Sequence, residues 1–179
     1  MLGTMAGDDS TSEILVTRVE SRPELEVLYA THAGALTRAL HAAGYPDASD
    51  AVQEAFVQAV VHWRKISRYD DPVAWIRRVA INRGHNRRRS RQRQDALTKR
   101  IADNTPRAPL APVEADDELA ALVAALPQQQ RLALSLFYFA ELSVAEVADA
   151  MEVSAGAVKY HLHAARTSLG RSLEIRDGS

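Results

Sequence analysis

Apolar residues recur at helical spacing along most of this 179-residue chain, and they nowhere alternate for long enough to build a sheet. From Pro23 onward, Leu25, Leu28, Leu36, Leu40 and Ala43 share one face, and Gly44 ends the segment. Asp47 or Ser49 can cap the next helix. Its stripe runs Val52, Ala55, Phe56, Ala59, Val60 and Trp63, while Asp50, Gln53, Glu54 and Gln58 cover the other faces. Ile66 to Asp70 form a short connection. Asp71-Pro72 then starts a third helix, because proline at the first helical position has no N–H to leave unpaired and an aspartate before it can cap. Val73, Ile76, Val79 and Ala80 give that helix a core face, with Trp75 beside it. From Arg83 the pattern is almost wholly polar, so the later turns belong on the surface, and Gly84 weakens the expectation of an unbroken helix.

Residues 102–116 hold three of the seven prolines and no helical repeat, which marks a linker between two domains. Beyond it, Leu119, Leu122, Val123 and Leu126 form one face, and Pro127 opens a helix bearing Leu132, Leu134, Leu136 and Phe137. Ser143 and Glu146 have the spacing of a capping box ahead of Val144, Val147, Ala148 and Met151. After a turn at Glu152-Val153, Ser154 can cap a last helix with Val158, Leu162, Ala165 and Leu169 inside. Two short capped helices joined by a tight turn describe a helix-turn-helix. The reading is an all-α chain of two small helical domains joined by a flexible linker: a disordered tail over 1–21, a domain over 22–101, the linker, and a helix-turn-helix domain over 117–179.

Charge changes the picture. The chain sums to −1, yet between Arg64 and Arg100 thirteen basic residues face three acidic ones, a local charge of +10. Unopposed like charges on an exposed helix call for a phosphate backbone as counterpart. Trp63, Tyr69 and Trp75 precede this block, and aromatics beside a basic groove suit stacking on single-stranded bases. Trp63 falls on the buried stripe, whereas Tyr69 sits in the loop and is the better candidate. The last helix presents Ala155, Gly156, Lys159, Tyr160, His163 and Arg166 outward. Small residues at its start allow close approach to duplex DNA, and Lys159 and Arg166 supply charge. His161 and His163 diverge on the helix and make no metal pair. Zero cysteine excludes disulfides and thiolate metal sites. No nucleophile triad, phosphate-binding glycine loop or metalloprotease motif is present, so neither an enzyme nor a cofactor is expected. The polar, acidic start and the absence of a roughly 20-residue apolar run point to an intracellular protein with no membrane insertion.

These stretches resemble the extracytoplasmic-function (ECF) group of bacterial sigma factors. SDAVQEAFVQAVVHW (Ser49 to Trp63) is similar to the family's polymerase-gripping helix. DDPVAWIRRVAINRGHNRRRSR (Asp70 to Arg91) is similar to its strand-opening helix, although Gly84, His85 and Asn86 stand where the family often has an aspartate. The span from Leu126 to Leu173 is similar to the domain that reads the minus-thirty-five element, with Tyr160, His161 and His163 where basic or small polar residues are frequent. The resemblance implies a promoter-specificity subunit that binds the β′ clamp helices and β flap of core RNA polymerase, opens promoter DNA and is restrained by a cognate anti-sigma factor, all in the cytoplasm. It assigns polymerase binding to Asp50, Gln53, Glu54 and Phe56, with Gln53 and Glu54 turned away from the packed stripe. Contact with the minus-ten element falls to Arg64, Lys65, Arg68, Tyr69, Trp75, Arg78, Asn82, Arg87 and Arg88. The minus-thirty-five element falls to Ser154, Ala155, Gly156, Lys159, Tyr160, His163 and Arg166. The alternatives are a polymerase-independent helix-turn-helix regulator, which leaves the arginine cluster unexplained, and a sigma mimic that binds an anti-sigma factor without opening DNA.

Overall fold

A computed structural model describes residues 23–101 and 117–177, and the proposed tail and linker lie outside these residues. The described residues contain seven helices and no strand. They are α1 (Pro23–Ala42), α2 (Ala48–Ile66), α3 (Pro72–Ile101), α4 (Asp117–Ala125), α5 (Gln128–Phe139), α6 (Val144–Met151) and α7 (Ala155–Asp177).

The α3 start follows its sequence. Asp71 Oδ1 accepts the Ala74 N–H at 3.0 Å, and Pro72 is the first helical residue. Asp47 occupies the cap position of α2 without a side-chain capping bond. Its carboxylate instead receives Arg91 of α3 at 3.1 Å. The helix α3 also runs unbroken through Gly84, contrary to the weakening expected there. A side chain at Gly84 would place its Cβ 3.0 Å from the ring of Tyr45, which is fully buried. The glycine thus admits an aromatic ring against the helix, and that packing offsets the usual cost of glycine in a helix interior.

Helices from both halves share one hydrophobic core. α1 packs on α2 and α5, and α3 packs on α2 and α6. The two expected domains are therefore docked. Six consecutive residues of α5, Arg131 to Leu136, are buried because α1, α6 and α7 surround that helix. Arg131 is accommodated at Gly44, whose φ of +80° suits glycine and whose missing Cβ leaves room for the guanidinium. Arg131 donates to the Ala124 carbonyl and to Gln128 Oε1, both at 2.7 Å. Gln128 in turn donates to the Ala43 carbonyl at the end of α1, at 3.2 Å. At the other end of the junction, buried Arg77 of α3 reaches Glu146 of α6 at 3.1 Å. Leu119, expected on the inner face of α4, is exposed, whereas Leu126 is buried.

Candidate nucleic-acid interface

The helix-turn-helix is built by its caps. Ser143 Oγ accepts the Glu146 N–H at 3.2 Å, and Glu146 Oε2 accepts the Ser143 N–H at 2.9 Å. Ser143, through its backbone N–H first and then its hydroxyl, holds the Glu146 carboxyl below its ordinary range, with Arg77 adding to the effect. The turn passes through Glu152 at φ 56°, a left-handed conformation that ends α6. Ser154 Oγ then accepts the Ala157 N–H at 3.1 Å and starts α7. Val158, Leu162 and Ala165 are buried, which fixes the rotation of α7. Ser154, Ala155, Gly156, Lys159, Tyr160, His163 and Arg166 consequently lie on its exposed side. His161 turns inward, and its Nδ1 is buried without a partner. Arg166 does not project freely: its Nε donates to the Tyr138 hydroxyl at 3.1 Å, and its guanidinium lies 5.6 Å from the centroids of the Phe137 and Tyr138 rings.

The second basic surface runs from the last turn of α2 through the following turn onto α3. Arg64, Lys65, Arg68 and Tyr69 are exposed, and these three cations have no ion pair among the described residues. Trp75 is half-buried with its ring edge-on to His62, at 6.5 Å between centroids, and Trp63 is half-buried against the core. Arg78 is half-buried, and Asn82 is exposed one turn further along. Beyond that point the expectation of unopposed charge is corrected. Arg87 is bound by Glu54 and, at 3.3 Å, by Asp50, while Arg83 lies 3.7 Å from Glu54. Arg88 is half-buried, with one terminal nitrogen lacking a partner. Glu54, turned away from the packed stripe as expected, is paired with Arg87 and Arg83 rather than free, and Asp50 likewise holds Arg87. Gln53 is exposed, and Phe56 is buried with its ring 4.9 Å from and edge-on to Tyr29. Phe56 lines a groove of about 410 Å³ with Leu25, Glu26, Tyr29, Gln53, Val57 and Val60, and Val61 is exposed one turn beyond Val57.

The pattern search missed Arg77, Arg131, Tyr138 and the Tyr45–His85 pair. The Tyr45 hydroxyl lies 3.1 Å from His85 Nδ1. Burial, reinforced by Arg89 and Arg88, pushes the His85 pKa down, so a neutral imidazole can accept that hydroxyl proton. For Arg131 alone a hint existed in the sequence, since it directly abuts the apolar run LALSLF. Among the described residues no histidine and acid cluster gathers that could hold a metal ion, and no helix is long and apolar enough to cross a membrane.

A helix-turn-helix with a basic outer face, beside a second helix that carries cations and an exposed aromatic loop, defines a DNA-binding transcription protein of two units. Family models sharpen that class: sigma-70 region 2 matches residues 28–94 and sigma-70 region 4 matches residues 116–169. The RNA polymerase sigma-E factor of Streptomyces avermitilis is 31% identical over 138 residues, covering 73% of each chain. The ECF RNA polymerase sigma factor SigM of Bacillus subtilis is 30% identical over 128 residues, covering 68% of this chain and 77% of that one. In fold, the chain is similar to the sigma factor RpoE of Bartonella quintana, solved in complex with the anti-sigma factor NepR. That match has a TM-score of 0.67 and 18% identity, covering 84% of this chain and 96% of the other. CnrH, solved with the cytosolic domain of CnrY, matches with a TM-score of 0.61 and 22% identity over 91% of this chain and 96% of CnrH. The chain belongs to the ECF sigma factors of the sigma-70 family. Members of this family are initiation factors, not enzymes: they bind core RNA polymerase and recognise promoters.

Proposed function

We propose that the two units divide promoter work between them, with 22–101 gripping core polymerase and opening the minus-ten element and 117–179 reading the minus-thirty-five duplex, joined through 102–116. The observation that carries this division is the contrast between the two DNA-facing surfaces. Exposed Arg64, Lys65 and Arg68 lead into an exposed Tyr69 in a loop, which suits splayed bases, whereas Lys159, Tyr160 and His163 line a regular helix, which suits a groove.

Polymerase binding is assigned to the outward face of α2. Gln53, Val57 and Val61 offer a polar and apolar surface beside the Phe56 groove, and Asp50 and Glu54 stay partly accessible behind their arginines. The β′ clamp helices would dock here and the β flap on the C-terminal unit. An anti-sigma partner, as in the RpoE complex, is a further expected ligand, and the chain acts in the cytoplasm by binding alone, with no cofactor and no bond chemistry of its own. Arg78, Asn82, Arg87 and Arg88 extend the opened-strand track along α3, and Trp75 supports the loop.

Potassium permanganate footprinting of the reconstituted holoenzyme tests the opening step. Stacking is worth about 1–3 kcal/mol per base, so Tyr69→Ala should reduce open complexes about tenfold or more while polymerase affinity stays unchanged. An unaltered melted region would remove Tyr69 from the opening machinery.

A further inference from the structure

We infer that Tyr138 is the positioning residue for Arg166, holding its guanidinium in the orientation from which it meets a phosphate of the minus-thirty-five duplex. This rests on the reading of Arg166 as a phosphate contact. Arg166 stands about three turns into α7, far from the capped N-terminus whose backbone can approach DNA directly. A long side chain at that place loses rotamer freedom when it binds, unless something on the protein has already ordered it. Two rings do so. Phe137 and Tyr138 meet edge to face, with centroids 5.1 Å apart, and the Arg166 guanidinium lies 5.6 Å from both. The hydrogen bond to the Tyr138 hydroxyl uses Nε, at 3.1 Å. Both terminal nitrogens therefore remain to form the planar fork that suits a phosphate.

The platform is anchored. Phe137 packs against the core, so the corner is carried by the body of the C-terminal unit. Tyr138 itself is 54% exposed, and its hydroxyl serves no buried contact. Lys159 and His163, the other basic groups on this face, have no side-chain partner among the described residues. Arg166 is thus pre-ordered where its neighbours are not, and the hydroxyl responsible sits on a different helix, outside the recognition motif.

The test uses the full chain reconstituted with core polymerase and a fluorescent promoter duplex selected by the unaltered holoenzyme, titrated at several salt concentrations. Arg166→Ala should lower affinity about tenfold and flatten the slope of log affinity against log salt by about 0.9, the value of one phosphate. Tyr138→Phe keeps the ring and removes the acceptor. It should lower affinity about threefold, with slope and melting temperature unchanged. In the Arg166→Ala background the same change should do nothing further. Arg166→Lys keeps the charge without an Nε donor, so it should retain the slope and be indifferent to Tyr138→Phe. The positioning role is overturned if Tyr138→Phe has no effect, or if its effect persists undiminished in either Arg166 variant. A salt slope unchanged by Arg166→Ala would instead overturn the phosphate contact, and the role of Tyr138 with it.

Discussion

The two basic surfaces of this chain carry similar side chains and manage them in opposite ways. On α3, Arg83, Arg87 and Arg91 fold back onto Glu54, Asp50 and Asp47 of α2, so much of the charge counted along the helix is balanced across a helix pair. On α7, Lys159 and His163 face no acid, and Arg166 is held by aromatic rings that leave its charge intact. Charge density along a sequence measures what a helix carries, and the facing helix decides how much of it remains for a ligand. Among the described residues, the cations of this surface outside the balance are Arg64 and Lys65 at the end of α2, Arg68 in the turn beside Tyr69, and Arg78, Arg88, Arg89 and Arg93 along α3, so the surface proposed to open DNA runs from that loop onto α3.

The largest effect should come from breaking the scaffold beneath α7. Val158 has no exposed surface, and Val158→Asp would bury an unpaired carboxylate at a cost of several kcal/mol. Urea denaturation should show the C-terminal unit unfolded and duplex binding gone. A native transition at the original midpoint would mean that α7 packs through another face. The equivalent lesion beneath α3 is smaller and has a counterintuitive sign. Gly84→Ala raises helix propensity, yet its Cβ would meet the Tyr45 ring at 3.0 Å, and that ring is 1% exposed and has no room to yield. A net loss of about 1 kcal/mol is expected by denaturant titration. A gain would show that the Tyr45 ring does not hold the two helices at this spacing.

The difference in legibility between the two surfaces has a physical cause. What sets the start and inner face of α7 is local: the Ser143–Glu146 box before the turn, the Ser154 cap and the spacing of Val158, Leu162 and Ala165 act within a few residues and can be read from the string. The same holds for Asp71-Pro72 at the start of α3. The neutralisation of Arg87 depends on how α2 lies along α3, a tertiary fact that no spacing rule contains. Arg131 was hidden for a related reason. An amphipathic reading assumes a solvent face, and α5 has none over Arg131 to Leu136. The docking of the two units belongs with these, because its contacts, Arg77 with Glu146 and Gln128 with the Ala43 carbonyl, join residues far apart in the chain.

Releasing the balanced arginines should turn the first surface into something closer to the second. Glu54 and Arg87 are both only partly buried, so solvent screens the pair and Glu54→Gln should cost about 1 kcal/mol of stability or less. It should, however, raise non-specific affinity for duplex DNA and steepen the salt slope by about 1 as Arg83 becomes available, Arg87 keeping Asp50. Equilibrium titration by anisotropy reads both quantities. An unchanged slope would mean that Arg83 stays turned away from DNA even without its acid.

The smallest effect is a pH dependence at the junction of the units. His85, beside Tyr45, is held below the ordinary histidine pKa by burial, with Arg89 and Arg88 adding to it. His32 is lowered by burial and by Arg77, against the opposing pull of Asp71 and Glu146. A lowered histidine stays neutral in the folded chain while the unfolded chain takes up a proton. Stability is therefore full above about pH 6.5 and falls as pH drops below it. His85→Gln should flatten that decline in denaturation midpoints measured between pH 7.5 and 5.5, and an identical pH profile would exclude His85 as its source.

Run-off transcription by core polymerase, supplied with this chain and with its Tyr69→Ala and Lys159→Ala variants on duplex and pre-opened versions of one selected promoter, addresses the division of labour most directly. The account predicts promoter-specific transcripts with the unaltered chain. Tyr69→Ala should fail on the duplex and recover when the minus-ten segment is already open, whereas Lys159→Ala should be impaired on both templates because the minus-thirty-five duplex is the same in each. Equal recovery of both variants on the opened template, or of neither, would contradict a loop that captures opened strand and a helix that reads duplex.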